Sequence, residues 1–135
     1  MADWLLKTEP SDYSFGDLEK AKKAVWDGVR NPVALRNLRA MKAGDRVVVY
    51  HTGDEKAAVG LATVVREAYP DPKGKAPGFV VVELEAGKPL ARGVTLAEIK
   101  ALPVFAESPL VRQGRLSVVP LNAAQWKALE TLSRR

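Results

Sequence analysis

Six consecutive residues, Trp26-Asp27-Gly28-Val29-Arg30-Asn31, combine an aromatic plate, a carboxylate, a glycine, a guanidinium and an amide. That set can hold a flat polar ring, with one face to stack against and several groups to hydrogen-bond its edge. Three further polar clusters stand at the ends of apolar runs. Lys7-Thr8-Glu9 follows Trp4-Leu5-Leu6, Tyr50-His51 follows Val47-Val48-Val49, and Gln113-Gly114-Arg115-Leu116-Ser117 leads into Val118-Val119. Each alone is a strand meeting solvent. Together with the hexapeptide they point to a binding site at the mouth of a small barrel.

Other chemistries have less to draw on. The chain has no cysteine, which excludes disulfides, thiol catalysis and cysteine-held zinc or iron–sulfur clusters. His51 is the only histidine, and a lone histidine beside a tyrosine is more often a hydrogen-bonded structural group than a catalyst. No ligand spacing suits a metal, and no P-loop, GxGxxG or serine elbow is present. No cofactor is therefore expected.

Trp126 shares an apolar helix face with Leu129, and Trp4 opens an apolar strand, so both belong in the core. Trp26 sits beside Asp27 and Gly28 and is the tryptophan expected to face a ligand. The competing reading pairs Arg30 with Asp27 in a rigid loop without function.

The elements that must position these groups can be read from period and punctuation. Residues 4–9 form a buried strand that Pro10 and Ser11 break. Ser14 and Asp17 mark the start of a short helix through about Ala24. The hexapeptide is then a loop running into a second helix, with Asn31 as its cap and Pro32 in its first turn. Val33, Leu35, Leu38 and Met41 carry that helix's apolar stripe, and Gly44 ends it. Residues 46–51, 58–67 and 79–85 are rich in β-branched side chains and read as strands, the first two joined by a turn at 53–56. The Pro/Gly-rich stretch 70–78 reads as a surface loop. Thr95-Leu96-Ala97-Glu98 opens a short helix, 115–120 is a last strand, and Asn122 caps a closing helix.

The whole is expected to be one α+β domain over 1–135, a small curved β-barrel with flanking short helices. The spacing is too irregular for repeated parallel βαβ units. A hydrophobic fraction of 47% supports a core, and a net charge of +5 favours polyanionic partners without establishing one. Met1–Lys7 has no basic leader followed by a long apolar run, and no stretch approaches a membrane helix. A soluble, cytoplasmic protein with no membrane partner is expected.

These motifs, in this order, resemble the EVE domain: Trp4–Pro10, the hexapeptide, Tyr50-His51, Ala68-Tyr69-Pro70-Asp71 and Arg112–Val118. The resemblance implies a PUA-like fold and a reader of modified bases, modified cytosine or adenine, in DNA or RNA. It also implies a pocket of Trp26, Val29, Arg30 and Asn31, with Lys7, Thr8, Glu9, Tyr50, His51, Arg115 and Ser117 around it. Family members often carry an aromatic directly after the hexapeptide's asparagine, where this chain has Pro32-Val33. No second cage tryptophan is evident, which leaves Tyr50 or Tyr69 for that role. The related ASCH domains include amidohydrolases of acylated cytidine that use a lysine, a threonine and a glutamate. Lys7, Thr8 and Glu9 supply those types, but strand alternation sends Thr8 away from the other two. A general RNA-binding PUA-type module is the third reading.

Overall fold

The structure, a computed structural model, describes residues 2–74 and 77–135. Lys75 and Ala76, part of the expected 70–78 loop, lie outside the described residues.

Six strands form one sheet in the order β2-β5-β4-β3-β1-β6. Its centre is β3 (Arg46–His51), buried from Val47 onwards, as an almost unbroken apolar run should be. On one side β1 (Asp3–Thr8) pairs with it in parallel, Leu5 beside Val48 and Thr8 beside His51. On the other side β4 (Ala57–Pro70) pairs antiparallel. In β4, Ala58, Gly60, Ala62 and Val64 alternate inward, as the period of two requires.

β4 and β5 (Val80–Thr95) form one long hairpin whose register shifts four times. Such shifts bend a strand and let a sheet curl into a barrel. Gly60 has a packing reason: a Cβ there would stand 2.4 Å from the Phe15 ring. Gly60→Ala is accordingly expected to force Phe15 aside and cost about 1–3 kcal/mol, read as a lower urea midpoint. An unchanged midpoint would show that the ring moves freely.

The helices seal the ends. α1 (Phe15–Ala21) opens with the expected capping box of Ser14 and Asp17. It is shorter than the sequence suggests: Lys22 turns to φ 68°, and Lys23–Trp26 form β2, paired with β5 as Ala24 with Leu84 and Trp26 with Val82. Lys20 to Ala24 read as helix formers, and only β5 makes a strand of the last residues. α2 (Pro32–Ala40) starts as expected, with Asn31 Oδ1 accepting from the amides of Val33 and Ala34. α3 (Leu96–Lys100), α4 (Pro109–Arg112) and α5 (Ala123–Ser133) follow, with a 3-10 turn at Pro103–Phe105. The 3-10 turn and α4 were not legible in the sequence. The last strand, β6 (Val118–Leu121), starts later than expected because it pairs with β1 only from Val118.

Leu5, Leu6, Leu18, Leu38, Val47, Val49, Leu84 and Phe105 fill the core. Trp4, Trp126 and Leu129 are buried, in line with their sequence reading. No helix among the described residues is long and apolar enough to cross a membrane.

Candidate nucleic-acid interface

The barrel opens where β1 and β2 both end. Lys7 and Thr8 finish β1, Asp12 and Tyr13 belong to the turn into α1, and Val25 and Trp26 finish β2. Asp27, Gly28, Val29 and Arg30 follow, and Ser117 precedes β6. With Glu9, these residues line a cleft of about 590 Å³. That volume falls within the range of small-ligand sites, about 300–1,000 Å³. Gly28 makes the bend possible: its φ of 79° is one that other residues rarely adopt, although a Cβ there would meet nothing.

Seven of the eleven residues expected at the site line this cleft: Lys7, Thr8, Glu9, Trp26, Val29, Arg30 and Ser117. Four do not. The Asn31 side chain is committed to capping α2. Arg115 is exposed but not among the lining residues. Tyr50 is buried in β3, its ring 5.7 Å below the Lys7 ammonium. His51 is buried too, with Nε2 accepting from the Phe15 amide at 2.9 Å and Nδ1 2.7 Å from Glu55 Oε1. It satisfies an amide that the start of α1 would otherwise leave unpaired. Both ring nitrogens of the lone histidine are thus engaged within the fold.

Trp26 lines the cleft but is only 7% exposed. It is the floor of the site rather than an open plate. Tyr13 stands edge-on to it, with ring centroids 6.2 Å apart and planes at 86°. Tyr13, and not the expected Tyr50 or Tyr69, is the second aromatic of the cleft. Tyr69 is spent elsewhere, its hydroxyl donating to Glu83 and its ring under the Arg66 guanidinium. A signal for Tyr13 did exist. It directly precedes the cap Ser14, a position where an apolar side chain often packs against the helix's first turn and fixes the entry of the chain.

Polar groups of both signs surround these rings. Lys7 Nζ donates to the Gly114 carbonyl at 2.9 Å, and burial pulls its pKa below the usual lysine value. Thr8 Oγ1 donates to the Tyr13 carbonyl at 2.6 Å, which ties the turn to β1. Glu9 accepts from Ser11 and Thr52. Burial and the neighbouring Asp17 raise the Tyr13 pKa, so its phenol stays protonated. Arg30 does not pair with Asp27 among the described residues; its guanidinium lies 5.5 Å over the Phe79 ring. The side chains of Lys7, Thr8 and Glu9 are each bonded to different partners, and no hydrogen bond joins any two of those side chains. Nor do three His, Asp or Glu side chains gather at metal-binding distance among the described residues.

A curved sheet with flanking short helices and a cleft of aromatic and mixed polar groups at its mouth is a PUA-like architecture. The chain belongs to the EVE domain family, whose model matches residues 2–132. Human thymocyte nuclear protein 1 is 30% identical, over 98% of this chain and 74% of its own length. The structure of human THYN1 in complex with 5-methylcytosine-containing DNA superposes with a TM-score of 0.92 at 28% identity, covering 100% of this chain and 99% of that one. A Rhodopseudomonas palustris protein solved by NMR is 42% identical, with a TM-score of 0.91 and coverage of 99% and 94%. A mutant ASCH protein from Zymomonas mobilis reaches a TM-score of 0.64 at 16% identity over 98% of this chain and 99% of its own, a likeness of fold alone.

Proposed function

We propose that this chain is a non-enzymatic nucleic-acid-binding module that holds one modified base in the cleft, with 5-methylcytosine the first candidate. The observation that carries the reading is the cleft itself: Tyr13 and Trp26 set edge to face, with carboxylates and cations around them. The complex of the structurally similar human protein with 5-methylcytosine-containing DNA supports the choice of base.

A base enters such a cleft only after leaving its stack, at a cost of a few kcal/mol in a duplex. Apolar and aromatic contact with Tyr13, Trp26 and Val29 offsets part of that cost. Asp12, Asp27 and Glu9 are the acceptors available to an exocyclic amine, and Lys7 and Arg30 are donors for a ring carbonyl. Cations outside the cleft hold the flanking phosphates. The three residues an ASCH-like hydrolase would use are engaged separately, and this favours binding over turnover. Cytoplasmic residence belongs to the same proposal, since a reader works where its nucleic acid is.

Short DNA and RNA oligonucleotides carrying 5-methylcytosine, N6-methyladenine or no modification test the reading in one titration series. Wild type is expected to prefer one modified base. Tyr13→Ala is expected to weaken that preferred complex by about 1–2 kcal/mol, roughly tenfold in affinity, as loss of a base-stacking aromatic does. Equal affinity of wild type for modified and unmodified strands would overturn the proposal.

A further inference from the structure

Between Gly28 and Gly44 the chain has no acidic residue but carries Arg30, Arg36, Arg39 and Lys42. Many other cations are matched: Lys23, Arg46, Arg66, Arg92, Arg112 and Arg134 each stand 2.7–3.8 Å from a carboxylate. Lys42 is paired as well, 3.9 Å from Glu67. Arg30, Arg36 and Arg39 are not matched, and although Arg115 and several lysines are unmatched too, no other stretch without an acidic residue holds three such arginines. Among the described residues none of the three has a carboxylate partner, and all three are exposed. The contacts they do make leave the charge in place, Arg39 donating to the Gly78 carbonyl and Arg30 resting on Phe79.

Their placement follows from α2. Ala34, Leu35 and Leu38 are buried, and Asn37 donates to the Val118 carbonyl at 2.8 Å, which turns that side of the helix to the barrel. Arg36 and Arg39 are thereby left outward, three residues and about 5 Å of helix rise apart. Arg30 stands at the start of the row and lines the cleft. The row therefore begins at the cleft wall and runs along α2 to Gly78, beyond the end of β4.

We infer that this arginine face of α2 is the surface on which the sugar–phosphate backbone next to the bound base lies, with Arg36 and Arg39 contacting its phosphates. The inference rests on the base-binding reading and adds a direction to it: the nucleic acid leaves the cleft over α2. It also divides the labour. Phosphate contacts position the ligand without reading sequence, so α2 would set affinity and its salt dependence, and the cleft would set the choice of base.

The test uses the full chain and a short fluorescent DNA duplex carrying one 5-methylcytosine, with the unmodified duplex beside it, titrated over a range of salt. Arg36→Glu is expected to weaken both duplexes equally, about tenfold at low salt, and to flatten the plot of log affinity against log salt by about one. The ratio between the duplexes should stay that of wild type. Arg39→Gln should act in the same sense but less, and Lys127→Glu on α5, away from the cleft, should leave both affinity and slope as they are. Arg36→Glu and Lys127→Glu behaving alike, with the wild-type preference intact, would overturn the α2 track and leave the cleft reading standing. A wild type that binds both duplexes equally, with Arg36→Glu still weakening both, would overturn 5-methylcytosine as the base held in the cleft and leave the α2 track standing. Thermal melts of the variants confirm that the exposed substitutions leave the fold whole.

Discussion

Trp26→Ala is expected to destabilise the protein by about 3–5 kcal/mol, more than it weakens any contact with a base. The ring is 7% exposed, belongs to the main hydrophobic cluster and sits on β2 opposite Val82. Removing it empties volume beneath Tyr13 at the edge of the sheet, where β2 has only four residues to hold it. A loss of that size is a large share of the total for a domain of this size, about 5–15 kcal/mol. A binding assay on the alanine variant would then report unfolding as well as recognition. Trp26→Phe separates the two: it keeps a ring and most of the volume and is expected to cost about 1–2 kcal/mol. Urea melts of both variants, read beside their oligonucleotide titrations, check the assignment. An alanine variant that melts like wild type would show that Trp26 is not part of the core.

Asp45 is expected to give the second largest effect, far from the cleft. It is 3% exposed and accepts three hydrogen bonds, from the Ala2 amide at 3.0 Å, Trp4 Nε1 at 3.0 Å and the Lys42 amide at 2.9 Å. Burial disfavours its charge, but these donors together outweigh burial and leave its pKa below the ordinary aspartate value. Asp45→Ala strands the Trp4 indole and the Lys42 amide, and a loss of about 3–5 kcal/mol is expected. Asp45→Asn keeps the shape but turns an NH₂ toward one of the donors, so it should recover only part.

The sign of the pH dependence follows from the lowered pKa. The stabilisation is complete above about pH 5, where aspartate is almost fully ionised even in the unfolded chain, and is lost as pH falls through the folded value. Urea midpoints of wild type should therefore decline as the pH drops from about 5, and those of Asp45→Ala should decline less over the same interval. Parallel declines would remove Asp45 as the cause.

Local signals were the most legible part of this fold. Ser14 with Asp17, Asn31 with Pro32, Thr95 with Glu98 and Asn122 with Gln125 cap helices as their spacing suggests. A cap is a bond between residues two or three apart, so nothing distant has to be known. The errors fall where a distant partner decides. Lys23 and Ala24 read as the end of a helix and Trp26 as loop, and the third strand reads as ending at 85, whereas β2, β4 and β5 pair well past those limits. The α2 arginines were visible as residues but not as a row, because their shared exposure follows from the helix packing against the barrel.

The cleft divides the same way. The parts are legible in the chain alone: an aromatic and polar hexapeptide, a lysine at a strand end, a basic composition without cysteine, and motifs that mark the EVE family. Which of them meet depends on the folded sheet. Hydrogen bonds to Phe15 and Glu55 took His51 inward, and the start of α2 claimed Asn31. Tyr13 came to Trp26 because Thr8 holds the turn that carries it, while the pairing of β2 with β5 holds the tryptophan. Residue types and caps act over a few positions of chain, but a site joining the ends of β1 and β2 exists only once the sheet has curled and brought those ends together.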